Sequence, residues 1–504
     1  GYQRALLASS IEVASGDLLY GLEINRNDGP WNNPEDVKKY SGVLRYSEGS
    51  SADGFNLTAM AYHNKWNATD QIPLRAVQAG DIDRYGAIDP TDGGKSSRYS
   101  LSFAKYQRDQ NGAFDFNAYF VKSSLDLYSN FTYFLNNPVE GDQFNQSENR
   151  RMAGFNLSKT WYNNLAGFEM QNKIGLQTRY DDLSPVALYN TVAQTRTSVI
   201  RSDQVKEASA GIYAENNTLW LENFRSVLGL RYDNYHFDVD SSIQGNSGKV
   251  NDGIVSPKLS LIFGPWAKTE YFINYGKGFH SNDARGTTQL PSGGASSPVT
   301  PLVTTRGSEL GLRTEVIQGL QSSLALWQLD IVSELVFVGD AGETEASRFS
   351  HRYGIEWSNH YIVNDWLLLD MDIAVSKARY TESDPAGNYI PGAVNKVVSL
   401  GASVTNLGSW SGAFQMRYFG SRPLIEDNSV RSQSTMIAYA RLGYKLNQNA
   451  KLTLDVFNLF DRKASDIDYY YTSRLNGQAG TGLDDIHFHP VEPRSVRLTL
   501  TYNF

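Results

Sequence analysis

Near its C-terminal end the chain reads His487-Phe488-His489, with Asp484 and Asp485 just before it. Side chains alternate along an extended segment, so the two imidazoles fall on one side, with two carboxylates beside them. Imidazole and carboxylate together can ligate a transition metal, which makes His487, His489, Asp484 and Asp485 the candidate metal ligands. The plainer alternative is a polar loop entering the last strand at Pro490. His280, in Phe279-His280-Ser281-Asn282-Asp283, stands where a strand runs into a loop and is either a partner for such a site or a solvated rim residue. In the same late region Tyr469-Tyr470-Tyr471 is followed by Arg474. Phenol rings on a loop can stack on a ferric chelate or a sugar and hydrogen-bond it, so these four residues and His280 are the candidate ligand-binding set. Girdle or loop packing would use the same rings. Asp81, Asp83, Asp89 and Asp92 offer carboxylate oxygens, but their spacing is not that of a dedicated calcium loop, and they read as solvated charges.

Catalytic arrangements are weaker. Seven His with many Ser and Asp permit a triad by count, yet no segment has a nucleophile elbow or a metal-protease pair. The chain is therefore not expected to be an enzyme, and no cofactor is expected. Cysteine is absent, which excludes a disulfide framework and a thiolate metal site. The net charge of −8 leaves no basic stripe for nucleic acid.

The elements that must carry these residues are strands. Over 495–504, Ser495, Arg497, Thr499, Thr501 and Asn503 alternate with Val496, Leu498, Leu500, Tyr502 and Phe504, giving one polar and one apolar face and ending on an aromatic ring. Such a strand closes a transmembrane barrel, apolar towards lipid and polar towards a wet lumen. No run of about 18 apolar residues is present, so helical spans are excluded while barrel strands, half polar, remain open. Thirty Tyr and nine Trp supply rings for interfacial girdles.

Upstream, short turns alternate with long connections. Turns are expected near 15–17, 50–54, 110–112, 163–167, 221–223, 264–267, 317–319, 359–363, 406–408 and 447–449. Long connections are expected at 27–40, 67–97, 125–146, 181–203, 240–252, 281–305, 340–346, 381–392, 422–434 and 462–489. One end of the sheet thus carries tight turns and the other carries loops, as in outer-membrane barrels. The count is 21 strands in an all-β, antiparallel transmembrane barrel spanning residues 1–504 as one domain. Bacterial barrels have even strand numbers, so one further strand before Gly1 is expected, making a parent of about 22 strands, a size whose lumen holds a plug. The opening Gly1-Tyr2-Gln3-Arg4 lacks Met and a leader, which fits a removed signal peptide or a fragment.

The chain resembles the TonB-dependent outer-membrane receptors along essentially its whole length. Pro490-Val-Glu-Pro-Arg-Ser-Val-Arg-Leu-Thr-Leu-Thr-Tyr-Asn-Phe504 is similar to the closing strand of that family, Asn458-Leu459-Phe460-Asp461 to a stretch in its penultimate strand, and Tyr275-Gly-Lys-Gly-Phe279 with the long loop after it to further members. The resemblance implies active import of a scarce, bulky ligand, such as a siderophore, across the outer membrane of a Gram-negative bacterium. It implies a TonB complex acting through an N-terminal plug and TonB box, which match no residue of this sequence. It also implies that the barrel-assembly machinery reads the C-terminal strand, with Phe504 as signal. A passive porin-like channel is the alternative.

Overall fold

The computed structural model describes residues 1–289, 298–333, 335–338 and 343–504, with backbone alone for Leu335–Val338 and Glu343–Ala346. Twenty-one strands form one antiparallel sheet, each beside its predecessor, from Tyr2–Val13 to Ser495–Tyr502. The register pairs each strand with the next around nearly a full circle. Strands reach 27 residues in Thr195–Leu221, whereas about 9–11 cross a membrane, so the excess projects as paired ribbon beyond the bilayer. No helix is long and apolar enough to cross a membrane, among the described residues.

Alternation dictates the two faces. On the closing strand Val496, Leu498, Leu500 and Tyr502 are 60–66 % exposed, an apolar stripe that only lipid can cover. The opposite face meets its neighbours through charge: Arg4 and Lys39 flank Glu23, Lys258 reaches Glu215, and Arg441 reaches Asp455. Towards the tight-turn end of the outward face the rings of Tyr46, Phe55, Phe103, Phe116 and Phe155 form a ladder with successive centroids 6.0, 6.0, 6.2 and 6.4 Å apart. Rings on diagonally adjacent strands are in reach of one another, and here they make the girdle expected at a membrane interface.

The sorting of connections by end holds, with exceptions. At one end every connection is tight, the longest being 315–319; at Ala166-Gly167 both residues have positive φ, 54° and 87°, which matches the twist of the flanking strands. The turn expected at 359–363 falls later, because the strand Ser350–Ile362 continues to its last apolar residue. The long connection expected at 181–203 is a correction: Phe168–Val192 and Thr195–Leu221 stay paired up to Ala193-Gln194. Pro185, which reads as a loop residue, sits at a register shift where no ladder hydrogen bond is asked of it. The loop expected at 462–489 is a hairpin, Ser465–Ser473 with Leu483–Pro490, joined by Ile72–Pro73 in a three-stranded sheet. The loops expected at 281–305 and 340–346 lie partly outside the described residues.

Among the described residues the circle is not closed by hydrogen bonds: Tyr2–Val13 pairs there only with Gly16–Asn27, and Ser495–Tyr502 only with Ala450–Phe457. Both edge strands run from the loop end to the turn end and therefore lie parallel. They approach at the loop end, where the Arg497 guanidinium stands 4.0 Å from the Tyr2 ring centroid.

Candidate functional site

At the loop end the hairpin packs with the connections at 68–92 and 130–143 into a cap. Its centre is aromatic. His487 and Tyr471 face the same side of adjacent strands and stack 3.7 Å apart at 8°, with the Tyr133 ring 6.2 Å beyond. All three are buried, His487 completely. The imidazole Nδ1 lies 3.0 Å from the carbonyl oxygen of Asp485, which only accepts, so Nδ1 carries the proton. Nε2 then accepts from the Ser473 hydroxyl at 2.7 Å, and that hydroxyl oxygen accepts from Arg75 at 2.9 Å. Burial, with the nearby Arg75 charge, holds the His487 pKa down at about 3, so the ring is neutral. Burial likewise pushes the Tyr471 and Tyr133 phenols above their ordinary range.

Below this stack two carboxyls share a buried pocket. Asp70 and Asp92 hydrogen-bond each other; the Asn130 backbone N–H donates to Asp70 at 3.2 Å and the Gln143 amide to Asp92 at 3.0 Å. Burial raises the Asp70 pKa to about 6, against the hydrogen bonds that favour its anion. Burial, then the neighbouring Asp70 and Asp89 charges, raises that of Asp92 well above the carboxylate range. One proton held between the two is the physical consequence. Asp89 accepts from Asn130 at 2.9 Å. The reading of Asp92 as a solvated charge is thus overturned, because loop packing from 130–143 buries it, while Asp89 is half-buried; Asp81 and Asp83 are exposed as expected.

The inward wall at the loop end is a field of guanidinium–carboxylate pairs. Arg150 and Arg179 grip Asp181 at 2.7 and 2.6 Å, Arg201 grips Asp203 at 2.5 Å, and Arg231 forks onto Asp233 at 2.7 and 2.6 Å while donating to Gln177 at 2.7 Å. The short helix Ala284–Thr288 is pinned against this wall: Ala284 joins Leu183, Val205, Phe237 and Val239 in a small apolar cluster. Asp283 and Arg285, bonded at 2.5 Å, add to the field. Planar guanidinium groups already oriented by carboxylates can turn spare N–H donors to an anionic guest.

The candidates from sequence do not converge on one centre. Asp485 accepts from the Arg75 backbone N–H at 2.7 Å, Asp484 bonds Thr472 on the hairpin's other face, and His489 bonds Asp466 at 3.0 Å with its ring 4.6 Å from Trp31. Among the described residues no three His, Asp or Glu side chains assemble as a metal site, and both His487 nitrogens are engaged. Tyr469 and Tyr470 are half-buried, Tyr471 is core, and Arg474 donates to the Gln478 carbonyl at 2.9 Å. His280 stands next to last in the strand Thr269–Ser281, paired with Val303 and on the inward face by alternation. Phe504 lies exposed beyond the closing strand. Asp70, Arg75, Tyr133 and Gln143 escaped notice because isolated polar residues in a loop carry no spacing signal; the Arg–x–Asp repeats at 179–181, 201–203 and 231–233 were missed too, although their spacing puts each pair on one face of an extended chain.

A nearly closed sheet of this size, lipid-facing outside and charged within, defines a large outer-membrane barrel. The profile described as TonB dependent receptor-like, beta-barrel matches residues 21–459, and the chain belongs to the TonB-dependent receptor family. Members of this family are transporters, not enzymes. The chain is 22 % identical to the catecholate siderophore receptor Fiu of Escherichia coli strain K12 over 399 residues, covering 69 % of this chain and 50 % of that protein. It is 23 % identical to the metal-pseudopaline receptor CntO of Pseudomonas aeruginosa over 306 residues, covering 56 % and 39 %. The chain thus spans half or less of the curated relatives it matches. Its fold is that of the ferric yersiniabactin uptake receptor FyuA of Yersinia pestis, with TM-score 0.77 at 14 % identity over 99 % of this chain and 78 % of that one. The ferric citrate transporter FecA gives TM-score 0.77 at 14 % identity over 100 % and 75 %.

Proposed function

We propose that this barrel serves active import of an anionic metal chelate of the siderophore type, captured at the loop end, which faces the cell exterior. The observation that carries the reading is the inward guanidinium wall at the mouth, from Arg150 to Arg285, whose donors suit carboxylate or catecholate oxygens. The relatives support it, since those named above are receptors or transporters of siderophores, metal–metallophore complexes or ferric citrate. In this reading a plug domain and a TonB complex supply gating and energy, and assembly machinery engages the strand ending in Phe504.

The test is uptake of radiolabelled ferric catecholate, hydroxamate and citrate complexes by cells carrying the intact gene, with and without a protonophore. One chelate should accumulate saturably, lose accumulation with the protonophore, and bind about tenfold more weakly to Arg231→Gln. A second reading, a passive channel, draws on the width of a 21-stranded lumen. Non-saturable entry indifferent to the protonophore would favour it and end the first.

A further inference from the structure

Asparagine followed by glycine occurs twice in the chain, at Asn111-Gly112 and at Asn476-Gly477. The pair has a chemistry of its own. A glycine nitrogen, unshielded by any side chain on its residue, can close on the side-chain carbonyl carbon of the residue before it, provided that its N–H is free and the backbone can turn to bring the two together. The two pairs stand in opposite surroundings. Asn111-Gly112 lies in the tight turn between Gly93–Asp109 and Gly112–Ser129, where the Gly112 N–H donates to the Asp109 carboxylate at 2.9 Å and the Asn111 carbonyl accepts from the Tyr162 N–H at 2.8 Å. Gly112 is buried, and a Cβ placed on it would lie 2.0 Å from the Thr160 carbonyl oxygen, so this nitrogen is both engaged and walled in.

Asn476-Gly477 sits at the tip of the cap hairpin, in the connection between Ser465–Ser473 and Leu483–Pro490. Its ends are tied. The Gln478 backbone N–H donates to the Leu475 carbonyl at 3.1 Å, the Gln478 side-chain oxygen accepts from the Leu475 N–H at 3.0 Å, and the Gln478 carbonyl accepts from Arg474 at 2.9 Å. Gly477 takes φ 73° at the third position of this turn, a conformation that calls for glycine. None of these bonds uses the Gly477 N–H or the Asn476 amide, and among the described residues neither group has another partner. Both residues are exposed, and nothing lies within 4 Å of the Cβ position on Gly477, so water and base reach the nitrogen. We propose that Asn476 is a site of spontaneous covalent modification. The Gly477 nitrogen bonds to the Asn476 side-chain carbonyl carbon, the bond from that carbon to the amide nitrogen breaks, and the amide leaves as ammonia with the proton that Gly477 gives up. Water then opens the cyclic imide at either carbonyl, leaving aspartate or its isomer in which the main chain runs through the former side chain. Either product adds a negative charge two residues from Arg474, and the isomer lengthens the backbone across a turn that these hydrogen bonds now hold. The inference is independent of which ligand the barrel carries.

The test incubates the protein, purified intact from outer membranes, in mildly alkaline buffer, digests samples with trypsin at intervals and measures peptide masses. Asn476 is the only asparagine in the tryptic peptide 475–494, and Asn111 lies in the peptide 109–122. In the folded protein peptide 475–494 should gain about one dalton, about tenfold faster than peptide 109–122, whereas after unfolding in urea the two should convert at similar rates. Part of the product should accept a methyl group from an isoaspartyl methyltransferase. Asn476→Gln, whose longer side chain closes the ring poorly, should lose both signals from this peptide. A peptide 475–494 that keeps its mass in the folded protein while the unfolded chain converts overturns the proposal, as does equal conversion of the two peptides in the folded protein or an undiminished mass gain in Asn476→Gln. Should that variant not fold by heat-modifiable gel mobility, the comparison of the two peptides in the unaltered protein decides alone.

Discussion

His487 and Asp70 set opposite pH dependences for one cap. The imidazole titrates near 6.5 when the loop opens but near 3 when packed, so below about pH 6.5 the open state takes a proton that the packed state refuses. Its contribution is present above that pH and is lost as pH falls, by about 2 kcal/mol at pH 5. Asp70 works the other way: raised to about 6, it holds a proton in the packed cap that the open loop has released above about pH 4. That contribution is present in acid and is lost as pH rises through 6. In the unaltered cap the two partly cancel between pH 5 and 7. Asp92, raised in the same way, has the sign of Asp70, so Asp70→Asn/Asp92→Asn together should unmask the imidazole, and hydrogen exchange at the Tyr471 and His487 amides, corrected for intrinsic rate, should then show less protection at pH 5 than at pH 7. In His487→Gln protection should instead rise on acidification. A pH-independent Asp70→Asn/Asp92→Asn cap would remove His487 as the cause. Tyr471→Ala should loosen the same amides by about 3 kcal/mol, since it empties one side of the stack.

At the scale of the element, what was legible followed from period two. The closing strand, the 21-strand count and the sorting of turns from loops all come from alternation punctuated by Gly, Asn and Asp, which local chain chemistry enforces. The projecting ribbon to Ala193-Gln194 was not legible, because above the bilayer neither face need be apolar and the alternation fades while the ladder persists. Nor was the hairpin Ser465–Ser473 with Leu483–Pro490, whose apolar side is buried by residues about 400 positions away, Gln71 and Arg75 among them. The tyrosines and histidines there were visible as unusual residues, yet packing rather than spacing decides that Tyr471 and His487 are core. The closing strand carries its own prediction. Phe504→Ala removes the aromatic end of the lipid-facing stripe, while Thr501→Ala changes the lumen face of the same strand. The first should lower the folded, membrane-inserted fraction on heat-modifiable gels about twofold or more and the second should not. Equal yields would count against a role for that ring in assembly.

At the scale of the sheet that these 504 residues form, the open seam governs their behaviour in a bilayer. Every other strand of the sheet has two neighbours, but among the described residues Tyr2–Val13 and Ser495–Tyr502 each present one row of backbone N–H and C=O groups without a ladder partner. Lipid cannot satisfy such a row, at a cost of several kcal/mol per group. Because the two edges run parallel, direct pairing would need a parallel ladder, whereas one strand inserted in the opposite sense would pair antiparallel with both. The Arg497–Tyr2 contact bridges the seam by side chains at the loop end. These 504 residues refolded by themselves should therefore give erratic, flickering conductance in planar bilayers, as the seam breathes and water enters along it. The same chain with one added alternating strand, joined to Tyr2–Val13 through a tight turn and running in the opposite sense, should give large and steady conductance, since both edges then have a hydrogen-bonding neighbour. Cysteine pairs placed across the new ladder can report closure directly, because the chain has no native cysteine to interfere. Steady conductance from the 504 residues alone, unchanged by the added strand, would mean that the edges find each other without it and that the seam is no defect.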